Sequence, residues 1–447
     1  MIEKLKITDY GMNGVGIAHS NKTHFLNNVI LGEEVEVLNG KTKVIVPSKN
    51  RISPICPYYS ECGGCNLQHM NEKEQQNYKI TYVKNCFNKY KVKFNNEIEY
   101  NNLSNLYYRN KISFAVRNER GKNKIGLFQQ KTHKIVEIDE CLITNKLHKK
   151  LLKIFRKYLS FDGVEAFCEE TKLGNIRNIV ARFCGNNVLV CVVGVKNNLP
   201  QKEKLVELLS AEFKEFGLSF CFNKNLKTIL NSNIKTIFGK TEFLVQKNGL
   251  IVPQNVGSFF QVNDEISEQI YNFVVNETNK QSVVLDAYCG AGTMTAMLAK
   301  NSQFALGIEC NHFAVLASKE LFKSNSIKNA FVIEGKCEDL ISESLANNEL
   351  KIDNKQKICL KNIHDFVCVL DPPRKGCNKK VLDAIIKSKT NKIVYVSCEP
   401  ITLARDVAIL QNDFEIEKIC LFDMFYLTSN VETVIVLERK WYALNLN

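Results

Sequence analysis

Two short apolar runs, each followed at once by polar residues, place the tightest limits on how this chain can fold. Residues 366–370 and 392–396 are rich in β-branched and aromatic side chains, which is typical of buried strands in a parallel sheet. The first run stops at Asp371, because the two prolines that follow cannot donate hydrogen bonds to a neighbouring strand. Asp371 and Cys398 therefore follow the carboxyl ends of two strands, where open α/β sheets bind their ligands. A carboxylate and a thiol at the same edge of a sheet indicate a site that carries out a chemical reaction.

Length and composition limit the class of protein. A chain of 447 residues is too long for one hydrophobic core, so two or three domains are expected. No window approaches the roughly 20 apolar residues of a membrane span, and the amino terminus lacks the apolar core of a signal peptide. We therefore predict a cytoplasmic protein with no membrane partner. In that compartment its 17 cysteines should be reduced or bound to metal.

The net charge of +13 favours a polyanionic partner such as nucleic acid. Most of the 60 basic residues are lysines, in a chain that is also rich in Asn and Ile. That bias is typical of an AT-rich genome, so the charge supports a nucleic-acid partner without establishing one.

Residues 1–50 contain short alternating strands broken by glycine, which predicts a small antiparallel barrel. The pattern from Asp9 through Gly14-Val15-Gly16 to Gly32-Glu33 resembles a TRAM domain, an RNA-binding barrel of the OB type. Another kind of small β-domain is the alternative.

Three cysteines, Cys56, Cys62 and Cys65, fall within ten residues, and the glycine pair between the last two permits a tight turn. The best candidate for a fourth ligand is Cys141. Zinc also accepts four thiolates, but its usual pattern is a pair of CxxC motifs, so the spacing favours a 4Fe-4S cluster. Unrelated cysteines in a cysteine-rich chain are the alternative.

Residues 51–255 predict a mixed α+β central domain, with a helix over 66–90. Residues 176–182 predict a strand that carries basic side chains. These side chains indicate either a sheet face that touches phosphates or an ordinary solvated face.

Residues 256–447 give the clearest signals. Residues 283–301 predict a strand, a glycine-rich turn and a helix, and the next strand ends in an acid, Glu309. That separation from Asp286 is the one at which a Rossmann-like fold offers a carboxylate to ribose hydroxyls, although the GxGxxG of nicotinamide sites is missing. The motif around Cys289 instead resembles the first motif of class I methyltransferases, which bind S-adenosylmethionine. The alternating pattern that follows fits their seven-stranded sheet.

In such a fold a thiol at the sheet edge indicates covalent activation of a poor nucleophile, such as carbon 5 of a pyrimidine. A thiolate adds to carbon 6, carbon 5 takes the methyl group, and a base removes the carbon-5 proton. Glu432, at the start of the last predicted strand, is the candidate base. The alternative is that Cys398 is a buried structural cysteine.

Five stretches together resemble the RNA uracil-5-methyltransferases that carry a TRAM domain and an iron–sulfur cluster, of the bacterial 23S rRNA type. They are the three-cysteine segment with Cys141, Phe259–Asn263, the glycine-rich turn, residues 371–377, and residues 395–406 with 423–434. The resemblance implies that Cys398 is the nucleophile and Glu432 the base. It also implies two sets of ligands: Gln261, Tyr288, Glu309 and Asp371 for S-adenosylmethionine, and Cys56, Cys62, Cys65 and Cys141 for the cluster.

Two residues depart from that family. Glu399 replaces an Asn and Asn430 replaces a His. A carboxylate beside the nucleophile should raise the pKa of the thiol. Loss of the His should change the position or the pKa of Glu432.

The substrate expected from the resemblance is a structured loop, in 23S rRNA first and in tRNA second, and the protein is expected to be a monomer. Two alternatives of other kinds stay open: a methyltransferase of another base, and a non-catalytic RNA-binding or folding factor.

Overall fold

The computed structural model describes residues 2–103, 105–258, 260–346, 349–352, 357–359 and 363–440. Phe259 of the Phe259–Asn263 stretch, and residues 441–447 of the predicted last domain, lie outside this part. No helix within it is long and apolar enough to cross a membrane.

Short strands form the amino-terminal part of the chain. They are β1 (Glu3–Lys6), β2 (Asp9–Tyr10), β3 (Gly16–His19), β4 (Thr23–Leu26), β5 (Glu34–Leu38) and β6 (Lys41–Val46). They make two antiparallel sheets, ordered β1-β5-β6 and β2-β3-β4, around one small apolar core. Gly16 lies so deep in this core that a β-carbon there would stand 2.5 Å from Val29. The OB-like classification of this barrel stays a prediction.

A seven-stranded sheet, ordered β10-β9-β8-β11-β12-β13-β14, dominates the centre of the chain. Its strands are β8 (Lys111–Glu119), β9 (Lys122–Phe128), β10 (Ile135–Val136), β11 (Ile176–Cys184), β12 (Asn187–Gly194), β13 (Phe216–Phe222) and β14 (Ile234–Gly239). Helices α2 (His148–Tyr158) and α3 (Lys202–Glu212) belong to this region, and α2 buries Leu151, Leu152 and Phe155 at helical spacing. The β12–β13 pair is parallel because α3 carries the chain back between the two strands.

Both sequence interpretations of β11 required its arginines to lie on an exposed face of the sheet. The structure shows that they do not. Arg177 and Arg182 are 2% and 0% exposed. Arg177 donates to the carbonyls of Asn225, Thr228 and Ile229. Both faces of β11 are covered by packing, which the local pattern of the strand does not reveal.

The C-terminal sheet follows a hairpin and a helix: β15 (Glu242–Lys247), β16 (Leu250–Asn255) and α4 (Asp264–Asn276). Its strands and helices, in chain order, are β17 (Val283–Ala287), α5 (Thr293–Asn301), β18 (Phe304–Glu309), α6 (His312–Ser324), β19 (Ala330–Glu334), α7 (Cys337–Ala346), a small hairpin of β20 (Glu349–Lys351) and β21 (Lys357–Cys359), β22 (Phe366–Leu370), α8 (Lys379–Lys387), β23 (Lys392–Ser397), α9 (Pro400–Leu410), β24 (Phe414–Phe422) and β25 (Glu432–Arg439). The predicted strand–turn–helix and the strands before Asp371 and Cys398 are confirmed.

The strand order of the C-terminal sheet is β19-β18-β17-β22-β23-β25-β24, with β25 antiparallel to both of its neighbours. The order reverses between β17 and β22, and such a switch point opens a ligand crevice at the carboxyl ends of the strands.

Two elements from the range 51–255 join this sheet instead of the central one. Strand β7 (Ile98–Asn101) pairs in parallel with β24 and makes the sheet eight-stranded. Helix α1 (Glu72–Lys89) packs on α9, and its residues Tyr78, Val83 and Phe87 belong to the same core as Leu403. Both elements cover an edge or a face that the last seven strands leave open.

A buried ion pair ties α1 to the loop before β25. The Lys79 Nζ lies 2.5 Å from the Asp423 Oδ1, and the two side chains are 0% and 1% exposed. The Tyr100 hydroxyl donates to the other Asp423 oxygen at 2.9 Å.

Replacing Lys79 by Met should lower the free energy of unfolding by about 3–5 kcal/mol, because the buried Asp423 carboxylate loses its counter-charge. Lys84→Met, on the exposed face of the same helix, should change it by less than about 0.5 kcal/mol. Urea unfolding of both variants measures the difference. Equal, small changes would show that the buried pair does not stabilise the fold.

Candidate active site

Strand pairing brings Asp371, Cys398 and Glu432 to one edge of the C-terminal sheet. β22 and β23 run parallel, so Asp371 and Cys398, which follow them, share that edge. β25 runs antiparallel to β23, with Thr433 opposite Ser397. The ladder ends at this pair; Cys398 is the residue after Ser397 and Glu432 is the residue before Thr433, and the charge of Glu432 acts on the Cys398 thiol. The structure thus brings the predicted nucleophile and the predicted base together.

Burial raises the pKa of all three groups. The pKa of the Cys398 thiol rises to about 11, first through burial and then through the charges of Glu432 and Asp371. Glu432 is 4% exposed, and burial, with Asp371, raises its pKa to about 8. Asp371 is open to solvent but stands in a recess crowded by protein, which raises its pKa to about 7. At neutral pH the three groups therefore carry less negative charge than free side chains would.

Arg374 is a site residue that the sequence analysis missed. Its guanidinium lowers the pKa of the Cys398 thiol against the effect of burial. Its charge also lowers the pKa of Glu432, again against burial. The available signal was its position, immediately after the two prolines that end β22.

Glu399 lies at the N-cap of α9, and its own pKa is raised by burial. The acids that contribute most to the raised pKa of Cys398 are Glu432 and Asp371, and the expected effect of Glu399 is not among the largest causes. Besides burial, the charge of Glu399 contributes to the raised pKa of Tyr82 on α1. A carboxylate at a helix N-terminus is electrostatically favourable, which gives the substitution a structural reason.

The turn after β17 leaves room for a ligand. Tyr288, Gly290 and Gly292 have φ values of +65°, +55° and +76°. No described atom lies within 4 Å of the place where a β-carbon on Gly290 would be, whereas one on Gly292 would meet Ser318 at 2.8 Å. The Gly290 N–H donates to the Glu309 Oε2 at 3.1 Å. Tyr288 and Glu309, two of the predicted cofactor residues, thus border an open cradle beside Gly290.

Backbone contacts hold Gln261, another predicted cofactor residue, between the central and C-terminal sheets. The Asn110 side-chain amide donates to the Gln261 carbonyl at 3.0 Å. Asn263 caps the start of α4 and donates to the Met424 carbonyl at 3.4 Å. The segment around Gln261 is therefore fixed from both sides.

The four predicted cluster ligands line a cavity of about 1100 Å³; they are Cys56, Cys62, Cys65 and Cys141. All four are free thiols. Burial, with contributions from the other cysteines, raises the pKa of Cys65 to about 12. Within the described residues the four thiols do not form the ligand set of a single metal ion.

The residue after the three-cysteine segment, Asn66, binds the 423–431 loop that leads into β25. Its backbone N–H donates to the Leu427 carbonyl at 3.3 Å. Its side chain accepts from the Ser429 N–H at 2.7 Å and donates to the Ser429 Oγ at 2.8 Å. It also donates to the Asn13 carbonyl at 2.8 Å. One side chain thus joins the barrel, the cysteine segment and the 423–431 loop.

Comparison with known proteins gives a consistent set of relatives. The sequence profile described as tRNA (Uracil-5-)-methyltransferase matches residues 71–440. An uncharacterized RNA methyltransferase of Clostridium tetani is 33% identical over 453 residues, covering 97% of this chain and 95% of that protein. One from Staphylococcus epidermidis is 30% identical over 456 residues, covering 97% of each.

The crystal structure of Pyrococcus abyssi tRNA (uracil-54, C5)-methyltransferase in complex with S-adenosyl-L-homocysteine is similar over 97% of this chain and 99% of that chain. The TM-score is 0.76 at 24% identity, so the likeness concerns the fold. That fold is the class I S-adenosylmethionine-dependent methyltransferase fold expected from the sequence. With the matching profile and relatives, it shows that the chain belongs to the tRNA (uracil-5-)-methyltransferase family and is an RNA methyltransferase.

Proposed function

We propose that this protein methylates carbon 5 of a uridine in structured RNA, with Cys398 bonded to carbon 6 during the reaction. The observation that carries the proposal is the β23–β25 pairing, which ends at Ser397 and Thr433 and so leaves Cys398 and Glu432 next to that pair, with Asp371 at the same edge. A nucleophile and a base close together suit a substrate in which one ring atom is attacked by the nucleophile and the adjacent ring atom loses a proton to the base. The uridine must leave its stack to reach them, at a cost of a few kcal/mol.

Each side chain has a defined step. The Cys398 thiolate adds to carbon 6, and the electron pair of the 5,6 double bond moves toward carbon 5 and the carbonyl oxygen at carbon 4. Arg374, whose charge lowers the pKa of the thiol, favours the thiolate. When bound, S-adenosylmethionine supplies the methyl group as an electrophilic sulfonium. Glu432 removes the carbon-5 proton, and the freed electron pair restores the double bond and expels the Cys398 thiolate.

The cofactor residues in this proposal are Gln261, Tyr288, Glu309 and Asp371. The cradle beside Gly290 fits a ligand there, because no described side chain fills it. The Glu309 carboxylate is held in place, since its Oε1 accepts from the Asn311 N–H at 2.7 Å. An acid at the end of the second strand is where such folds contact ribose hydroxyls.

Cys56, Cys62, Cys65 and Cys141 would hold a 4Fe-4S cluster. Four thiols that line one cavity fit a cluster in which each thiolate binds its own iron. The Thr144 hydroxyl donates to the Cys141 sulfur at 3.4 Å, the kind of contact that tunes cluster sulfurs. The role we propose is structural: through Asn66, the cluster segment would hold the 423–431 loop before Glu432.

The target we propose is 23S rRNA, bound by a TRAM-like barrel (1–50) and a central domain (51–255) and presented to the methyltransferase domain (256–447). Transfer RNA is the second candidate, because the family description and the Pyrococcus enzyme both name it. We also propose that the protein is a monomer and that it acts in the cytoplasm.

Gly290→Ala should weaken S-adenosylmethionine binding at least about tenfold, a loss of about 1.4 kcal/mol, because the methyl group enters the cradle. Gly185→Ala is a matched control, since Gly185 has φ +62° and equally open surroundings in the β11–β12 turn. It adds similar backbone strain but should leave cofactor affinity unchanged. Calorimetric titration measures both; equal affinities would remove Gly290 from the cofactor site.

RNA that contains 5-fluorouridine should form a methylated covalent adduct on Cys398, because fluorine cannot be removed as a proton. Cys398→Ala should form none, whereas Cys359→Ala, at an exposed cysteine of β21, should react normally. Glu432→Gln should accumulate the adduct even with ordinary uridine. Mass spectrometry maps the modified peptide and its RNA fragment, which distinguishes rRNA from tRNA.

Because the thiol is largely neutral at pH 7, adduct formation at saturating RNA should speed up about tenfold per pH unit from pH 7 to 9. Absence of any adduct, with cofactor and RNA both bound, would favour methylation of another base or a non-catalytic RNA-binding role.

Cys141→Ser should abolish the iron–sulfur absorbance and weaken thermal stability or RNA affinity. Methyl transfer at saturating RNA should fall by less than about tenfold, since no step passes through the cluster. Cys168→Ser changes a half-buried cysteine that is not one of the four predicted cluster ligands. It should alter neither the iron–sulfur absorbance nor the thermal stability and RNA affinity. Unchanged absorbance and wild-type RNA affinity in Cys141→Ser would contradict the assignment.

A further inference from the structure

Two cations meet across neighbouring strands in the interior of the central sheet. Lys111 on β8 stands directly opposite Arg182 on β11. Arg182 is 0% exposed. Both side chains reach the Ser258 carbonyl, the Arg182 Nη2 at 2.6 Å and the Lys111 Nζ at 3.5 Å. Like charges directly opposite each other destabilise a sheet unless something compensates them.

The described residues around this pair do not neutralise it. The Arg182 Nε and Nη1 are buried without a hydrogen-bond partner in the described part of the chain. The carboxylate whose charge acts on Arg182 belongs to Asp264, which is itself ion-paired with Lys247 and accepts from Asn110 at 2.6 Å. The Arg182 guanidinium otherwise faces the Phe260 ring at 5.3 Å. A buried positive charge in excess favours an anion nearby.

The space beside Lys111 is large enough for such an anion. Lys111 lines the cavity of about 1100 Å³ that the four cysteines also line. Ser113, Asn178 and Arg109 also line it. The Arg109 guanidinium lies 5.8 Å from the Phe425 ring, in the 423–431 loop. The cavity therefore adjoins the segment that leads to the proposed base.

We propose that this cavity binds one backbone phosphate of the substrate RNA beside Lys111. This rests on the proposed function only in taking RNA as the anion. Lys111 makes the contact, and Arg182, which solvent does not reach, adds its charge from the neighbouring strand on the same face of the sheet. Burial and Arg182 lower the pKa of Lys111 to about 8, and a bound phosphate would restore its affinity for a proton.

The test measures binding of poly(U) RNA to the full-length protein over a range of salt concentrations. Lys111→Gln should make the slope of log K against log salt less steep by about 0.7, one phosphate contact on a single strand. The same relation gives an affinity loss of about fivefold at roughly 0.1 M salt. Lys111→Arg should keep the wild-type slope. Lys202→Gln, on the exposed side of α3, should also keep it.

A wild-type slope in folded Lys111→Gln, or an equal change in Lys202→Gln, would overturn the proposal. Inorganic phosphate that raises the Tm of wild type but not of Lys111→Gln, with equal RNA slopes, would also overturn it and assign a free-anion site. S-adenosylmethionine affinity checks that Lys111→Gln is folded. Failure of uridine methylation in the wild type would reject the proposed function while this binding test stands.

Discussion

The antiparallel direction of β25 is the constraint on which the candidate site depends. The parallel strands end at this edge of the sheet, so the residue that follows each strand lies at the edge. Asp371 follows β22 in this way, and Cys398 follows β23. β25 runs in the opposite direction and begins at this edge, so its first residue, Glu432, lies there. The loop that feeds β25 therefore decides where the base stands. That loop is held by the Lys79–Asp423 pair at its start and by Asn66 near its end.

Electrostatics at this edge follow from that geometry. Two carboxyl groups and a thiol are gathered in a recess crowded by protein, and this crowding raises the pKa of each. Arg374 lowers the pKa of both Cys398 and Glu432, although by less than burial raises it. In the proposed reaction, negative charge at sulfur passes into the uracil ring and is neutralised by the transferred methyl group. It returns to sulfur only as the Glu432 carboxylate takes up the carbon-5 proton and becomes neutral, so negative charge need not build up on three neighbours at once.

The sequence was sufficient wherever local pattern decides structure. The apolar runs before Asp371 and Cys398, and the glycine turn before α5, are strands and a turn for reasons present within a few residues. It was insufficient where distant parts of the chain meet. Nothing in residues 98–101 indicates that their partner is β24, and nothing local to Arg182 indicates that Phe260 covers it. Arg374 was missed for the same reason, since its charge acts on Cys398 only after two strands have paired.

Strand β7 also constrains the order of events during synthesis. The Asn96 side chain donates to the Glu417 carbonyl, 321 residues further along the chain. At roughly 5–20 residues per second, a ribosome needs on the order of 15–60 s to make that stretch. During this time the apolar face of α1 and the open edge of β7 have no partner from the C-terminal sheet. The nascent chain must keep them from other strands until α9 and β24 have been made, so the eight-stranded sheet can be completed only after those residues emerge.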